Sequence, residues 1–253
     1  MEIQAREATG DEAAFFAEHG WVLLGRLIDP GAAAGLRERA MGHLRARSGG
    51  GGPIDQAFGQ SRDVGAVDEA FGALATSPAM GRTAVRLLGV RAVRVQVTNL
   101  LVKEAGEHGA TEFHQDFPWM PMDRSGMLTV WLALADVPAD MGSLRFYDGS
   151  HRHGVLGRSF TRPGDDQLSQ HPWIEELALS PPLDLQAGDA TVHHALTVHG
   201  APANRRDRPR LSFAVTYFDA DALYTGLPYR QTDGLGLRVN QPFEHERFPC
   251  PRP

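Results

Sequence analysis

A single cysteine among 253 residues, Cys250, excludes an intramolecular disulfide and any cluster of thiolate metal ligands. Basic charge is also short: 25 Lys and Arg stand against 31 Asp and Glu, a formal net charge of -6. A broad nucleic-acid or anionic-membrane surface needs the opposite excess, so neither is expected as a partner. No apolar run approaches the roughly 20 residues of a membrane-spanning helix. The opening MEIQAREATGDEAAFF has no basic n-region and no long apolar core, so no secretory signal is expected. These absences predict a soluble chain in a reducing cytoplasm. They leave a small molecule as the expected partner, and nothing signals an obligate protein partner.

What is present is an ordinary globular balance, 42% hydrophobic and 22% charged, enough for a sizeable core. The first 90 residues read as helical. Thr9 and Glu12 have capping-box spacing before AAFFAEHG, and Gly20 is a natural stop. WVLLGRLI reads as a short strand. Asp29-Pro30 opens a second helix that dies in the glycine run at 48–52, and Ser77-Pro78 opens a third that ends near Gly89. After residue 90 the period becomes two: RAVRVQVTNLLV puts Val93, Val95 and Val97 on one face and Arg94, Gln96 and Thr98 on the other. MLTVWLAL, SLRFY, ATVHH and RLSFAVTYF are further strand candidates. Helices first and strands after, with no βαβ rhythm, predict a mainly β fold, an antiparallel sandwich or barrel with helices packed on one side. The proline-rich tail PFEHERFPCPRP is expected to lie extended over the surface.

The segment TEFHQDFPWM sets His114 and Asp116 one residue apart among large apolar side chains. Such a pair is either a solvated turn or part of a metal site. Two imidazoles and one carboxylate on one face of an ion, with the opposite face open, are the needs of a non-heme iron oxygenase. His193, His194 and His199 are candidates for the third ligand. His199 is favoured by Gly200, which lets the backbone turn close to a metal, and by Arg210, 11 positions on at the start of a strand. A guanidinium there can grip a carboxylate with two parallel hydrogen bonds. A His-x-Asp triplet alone carries little weight; the ordered set carries the metal reading.

Nearly the whole chain resembles the phytanoyl-CoA hydroxylase-like family of Fe(II)/2-oxoglutarate dioxygenases. The resemblance rests on FFAEHGWVLLGRLIDPGAAAGLRERA, VRVQVTNLLVK, FHQD, TVWLALADVPADMGSLRFYDGSHRHG and GDATVHHALTVHGAPANRRDRPRLSFAVTYFDADA. It implies one domain over 1–253: a mostly helical flank (1–90), a double-stranded β-helix or jelly-roll, cupin-like core (91–220) and a C-terminal extension (221–253). It implies that His114, Asp116 and His199 bind Fe(II), that Arg210 clamps the distal carboxylate of 2-oxoglutarate, and that O2 is the oxidant, with ascorbate as the in vitro reductant. Gln96, Lys103 and Trp131 stand where relatives line the cosubstrate pocket, and Ser212 shares Arg210's face. Met141, Asp148 and Ala201 depart from the family pattern without touching the ligands. Asp116 occupies the place that halogenating relatives leave open for chloride, which disfavours halogenation.

The implied reaction is hydroxylation of an unactivated C–H bond coupled to decarboxylation of 2-oxoglutarate. A zinc or manganese hydrolase or isomerase on the same ligands, and a jelly-roll binding protein without catalysis, are the alternatives. For the substrate, Phe117, Trp119 and Met120 are expected to form one wall of the pocket, because such pockets are mostly apolar. Phe58, behind the glycine run, is a candidate for the opposite, closing wall. The inward member of His193 and His194, and Tyr224, come next. Arg205, Arg206 and Arg208 form a basic loop that suits either a CoA phosphate or solvent.

Overall fold

The computed structural model describes residues 3–45, 58–106, 108–159 and 166–251. Helix α1 (Gly10–His19) forms as its capping box predicts. The Thr9 hydroxyl accepts from the Glu12 amide at 3.2 Å, and the Glu12 carboxylate accepts from the Thr9 amide at 2.7 Å. α2 (Pro30–Arg45) starts behind Asp29, whose carboxylate accepts from the Gly31 amide. α3 (Val64–Val67), α4 (Glu69–Ala75) and α5 (Pro78–Leu88) follow, and Gly89 closes α5 in the left-handed conformation. The glycine run at 48–52 lies outside the described residues.

Among the described residues the strands are β1 (Trp21–Leu24), β2 (Gly59–Arg62), β3 (Val93–Lys103), β4 (Thr111–His114), β5 (Met127–Ala133), β6 (Arg145–Phe146), β7 (Ala190–His194), β8 (His199–Ala201) and β9 (Arg210–Asp219). The order β1-β7-β5-β9-β3-β2 makes one sheet and β4-β8-β6 a second, with every pairing antiparallel. This is the expected mainly β, jelly-roll architecture. The helices cover one face of the large sheet: Leu36, Phe71, Leu74, Leu100, Phe213 and Tyr217 share one buried cluster. The other face packs against the small sheet, where Trp21 stacks on Phe146 with ring centroids 5.1 Å apart. None of the described helices is long and apolar enough to cross a membrane.

Two sequence expectations fail here. β3 does not alternate throughout: its register with β9 shifts between Val95 and Val97. A bulge adds one residue and inverts the parity beyond it. Val93 and Val95 therefore join the helix-side core, whereas Gln96, Val97, Asn99 and Leu101 face the inside of the sandwich. The C-terminal tail is also not a surface strap. Phe243 and Phe248, each 1% exposed, pack edge-on against Phe218, and Arg247 pairs with Asp63 at 2.6 Å. Aromatic residues spaced by polar ones bury a substantial area without any regular period.

Candidate metal centre

β4 and β8 pair so that His114 and His199 are direct register partners, with ring centroids 4.3 Å apart. Gly200 is needed for this strand contact rather than for a turn at a metal. A Cβ there would come within 2.8 Å of the Thr111 carbonyl and 3.1 Å of the Phe113 ring. Beyond the end of β4, the Asp116 and Phe117 amides both donate to the Ala195 carbonyl at 3.0 Å, which swings the Asp116 carboxylate toward the two rings. Between them, Gln115 ties the strand end down by donating to the Leu196 and Gly154 carbonyls at 2.7 and 2.9 Å.

The proton positions suit a metal. His114 Nδ1 lies 2.8 Å from the Glu112 carbonyl and His199 Nδ1 2.9 Å from the Thr197 carbonyl. A carbonyl only accepts, so each Nδ1 carries the hydrogen and each Nε2 presents a lone pair inward. The Nε2 atoms of His114 and His199 lie 3.6 and 3.9 Å from Asp116 Oδ1, and the ligand atoms of the three residues all fall within 4.8 Å of one another. Burial holds His199 well below the ordinary imidazole value, so it is neutral as a ligand must be. Burial opposes the charge of Asp116, yet its carboxyl is held well below the usual carboxylate range by the histidines around it, with His193 Nε2 donating to its outer oxygen. The outer oxygen of Asp116, Oδ2, is held separately, by Thr129 Oγ1 at 3.2 Å and His193 Nε2 at 3.3 Å. Two imidazoles, one ionised carboxylate and an open inner face fit a divalent non-heme metal.

The same face opens into a cavity of about 430 Å³. Cross-strand register orders its floor in rows. Val97, Thr216, Thr129 and His193 form the row beside Asp116, and Asn99, Ala214, Trp131 and Thr191 form the next row. Lys103 pairs with Arg210 at the far end. Four of the lining residues carry a buried polar atom with no partner among the described residues: Arg210 Nε, Trp131 Nε1, Asn99 Oδ1 and His193 Nδ1. Arg210 lies over the Trp131 ring at 5.0 Å and donates to the Gly142 carbonyl, which the left-handed turn at Gly142 (φ 82) presents to it. Burial lowers Arg210 to about 10, and no carboxylate is paired with it among the described residues. A buried guanidinium with an idle Nε, next to an idle indole N–H, fits a bound carboxylate.

The predicted residues divide between the cavity and its surroundings. Gln96, Trp131, Arg210, His193, Trp119, Met120 and Phe58 line the cavity beside the three ligands. Lys103 and Ser212 do not. The Lys103 ammonium is buried behind the wall, donating to Gly109 O, Thr111 Oγ1 and Pro202 O at 2.8, 3.1 and 3.1 Å. Burial, with the charge of Arg210 adding, lowers it to about 7. Ser212 is buried one row from Arg210, opposite Leu101 and Ala133. Phe117 and Tyr224 belong instead to the aromatic cluster of Phe218, Phe243 and Phe248. His194 points to the opposite face of β7, against Phe16 and His151, where burial lowers it to about 4. In the basic loop, Arg206 is matched by Asp140 at 2.7 Å. Sequence reasoning missed Asn99, Thr129 and Tyr229. The parity inversion hid Asn99, and Tyr229 comes from irregular chain, where it accepts from Gln96 Nε2 at 2.8 Å.

Comparison with known proteins agrees with this geometry. The chain is 29% identical over 160 residues to the mouse (Mus musculus) phytanoyl-CoA dioxygenase domain-containing protein 1, covering 60% of this chain and 54% of that one. The chain thus spans about half the length of that curated relative. Among solved structures, the non-heme α-ketoglutarate-dependent carbocyclase SnoK from nogalamycin biosynthesis superposes with a TM-score of 0.83 at 29% identity, covering 96% of each chain. The epimerase SnoN, in complex with Fe3+, α-ketoglutarate and nogalamycin RO, gives a TM-score of 0.83 at 29% identity, covering 96% of this chain and 98% of that one. The signature of the phytanoyl-CoA dioxygenase (PhyH) family matches residues 16–212, so the chain belongs to that family.

Proposed function

We propose that this chain is an Fe(II)- and 2-oxoglutarate-dependent oxygenase that hydroxylates an unactivated C–H bond of a small metabolite or natural-product intermediate, releasing succinate and CO2. The observation that carries the reading is the pairing of the His114/Asp116/His199 set with an unmatched buried guanidinium, Arg210, on one cavity wall. A non-oxidative hydrolase or isomerase, working without 2-oxoglutarate on the same ligands, has no use for that clamp. When bound, the iron supplies the oxidising power. The chain's own residues position and protect. His114, Asp116 and His199 hold the metal on one face. Thr129 and His193 fix the outer oxygen of Asp116, leaving Oδ1 free to ligate. Arg210 and Trp131 orient the far carboxylate of the diacid. Trp119, Met120 and Phe58 form apolar walls that exclude water around the target carbon.

The similarity to SnoK and SnoN over 96% of the chain favours a second reading of the outcome, ring closure or epimerisation on the same site. The test is anaerobic loading with Fe(II) and 2-oxoglutarate, then exposure to O2 with ascorbate and a metabolite panel, following succinate and product mass. Hydroxylation adds one oxygen, ring closure removes two hydrogens and epimerisation leaves the mass unchanged. No 2-oxoglutarate consumption with any panel member, and no calorimetric binding of 2-oxoglutarate, would overturn the oxygenase reading.

A further inference from the structure

The chain as a whole is acidic, with a net charge of -6, yet the cavity mouth has the opposite sign. The charged residues on its wall are Arg62, Arg210 and Arg230, with Asp116 as the one acid among the described lining residues. Asp116 faces the metal position, and Arg210 is buried at the far end. Arg62 and Arg230 are exposed at the rim, on β2 and on the irregular segment after β9. The acids near them are engaged elsewhere: Asp63 pairs with Arg247 at 2.6 Å, and Asp233 accepts from the Tyr229 amide at 3.0 Å. Neither rim arginine forms an ion pair among the described residues; Arg62 Nε donates to the neutral amide of Gln60 at 2.9 Å. A third guanidinium, Arg158, stacks 4.6 Å from the ring of Trp119. Tyr229 lines the same cavity, near enough to Arg62 and Asp116 for both charges to act on its phenol. Its phenolic oxygen already accepts from Gln96, so its own hydrogen is left to donate. The surfaces between these groups, Phe58, Trp119 and Met120, are apolar.

We propose that the prime substrate is an amphipathic anion: Arg62 and Arg230 hold its carboxylate, sulfate or phosphoryl group at the rim, and its apolar body lies against Phe58, Trp119 and Met120 with the far end toward the metal. Guanidinium forks match such oxyanions bidentately. The cavity, at about 430 Å³, lies within the range that holds whole drug-sized molecules. A charged end fixed in the wet rim directs the apolar end inward, so the oxidised carbon is distant from the anionic group. The occupant is a substrate, rather than simply a ligand, on the strength of the oxygenase reading.

The test uses the full chain and two fluorescent probes, 8-anilino-1-naphthalenesulfonate and its uncharged counterpart N-phenyl-1-naphthylamine, with and without saturating Zn(II) and 2-oxoglutarate. The expected result is that Arg62→Gln/Arg230→Gln weakens the sulfonate tenfold or more and the neutral probe less than twofold. Arg62→Lys/Arg230→Lys should recover part of the loss, because the charge returns without the fork, which separates charge from misfolding. 1-Naphthoate and 1-naphthyl phosphate should displace the sulfonate better than 1-naphthol does, and whichever is stronger assigns carboxylate or phosphoryl. Four results would overturn the proposal: no saturable sulfonate binding to the wild type, equal loss of both probes in the glutamine variant, displacement of the sulfonate by 2-oxoglutarate, or no advantage of the naphthyl anions over naphthol. Calorimetry of 2-oxoglutarate on the wild type reports the oxygenase reading separately, so either idea can fail while the other stands.

Discussion

Replacing Arg210 by Met separates a guanidinium kept for a ligand from one kept for the fold. In the folded chain burial lowers Arg210 from its ordinary value to about 10. At about 1.4 kcal/mol per unit this is on the order of 3 kcal/mol of unfavourable charge burial. The sign is fixed at neutral pH. Both folded and unfolded chains keep the proton, so the penalty is constant there and is relieved only as pH rises through 10 and above. Against it stand the bond to the Gly142 carbonyl and the contact with the Trp131 ring, worth roughly 1–3 and about 1 kcal/mol. The terms nearly cancel, so Arg210→Met should unfold in urea within about 1 kcal/mol of the wild type when no ligand is present. Cosubstrate affinity should respond very differently. Losing a charge-assisted pair of hydrogen bonds costs roughly 1.5–3 kcal/mol, about 10- to 100-fold in Kd for 2-oxoglutarate by calorimetry. Arg210→Lys should recover only part of that, because an ammonium lacks the fork. A variant that loses more than about 4 kcal/mol of stability while binding 2-oxoglutarate normally would show that Arg210 is structural and refute the reasoning.

Two further outcomes follow from the same geometry. Lys103, lowered from 10.5 to about 7 by burial and by Arg210, binds its proton more weakly folded than unfolded, so stability should rise as pH goes from about 7 to 10.5; urea midpoints should show this rise in the wild type and lose it in Lys103→Met, and an unchanged slope would contradict the burial argument. His199→Ala should abolish Fe(II) binding in an anaerobic titration, whereas His193→Phe should retain stoichiometric but weaker metal, because His193 holds only the outer oxygen of Asp116; the reverse order would exchange their roles.

Much of this was legible in the sequence, for physical reasons that differ by residue. The capping box at Thr9 and Glu12 is a local hydrogen-bond pattern and needs no tertiary information. The alternation in β9 survives because both of its faces are buried, one in the helix-side core and one along the cavity. His114, Asp116 and His199 could be ordered because a strand pair must supply the facial set, and β4 with β8 does so. The bulge at Gln96 was not legible. A single inserted residue leaves no compositional mark, yet it exchanges the faces of every later residue in β3, which is why Asn99 went unnoticed. The tail was misread because proline suggests extension, while the burial of Phe243 and Phe248 depends on a partner, Phe218, some 25 residues upstream. His193 and His194 were equivalent in sequence; only the pairing of β7 with β5 and β1 decides that His193 faces the metal and His194 the helices.

The two faces of β9 tie the chemistry to the core. Leu211, Phe213, Val215 and Tyr217 anchor the strand beneath the helices, with the Tyr217 hydroxyl donating to the Ala75 carbonyl at 2.6 Å. The alternate residues are then held at fixed heights above the cavity floor: Arg210 at the far end, Ala214 beside Trp131, and Thr216 bonded to Thr129 at 3.0 Å next to Asp116. Successive members of that face lie two residues apart, about 6–7 Å along the strand, so the spacing from Arg210 to the His114/Asp116/His199 set is governed by the backbone rather than by flexible side chains. Ala214 lines the middle of this path, and any larger side chain there would point into the space between Arg210 and the His114/Asp116/His199 set. Such a site needs little reorganisation to bind a diacid. Its one buried guanidinium without a carboxylate partner among the described residues, Arg210, is carried by a strand whose reverse side is anchored in the hydrophobic core.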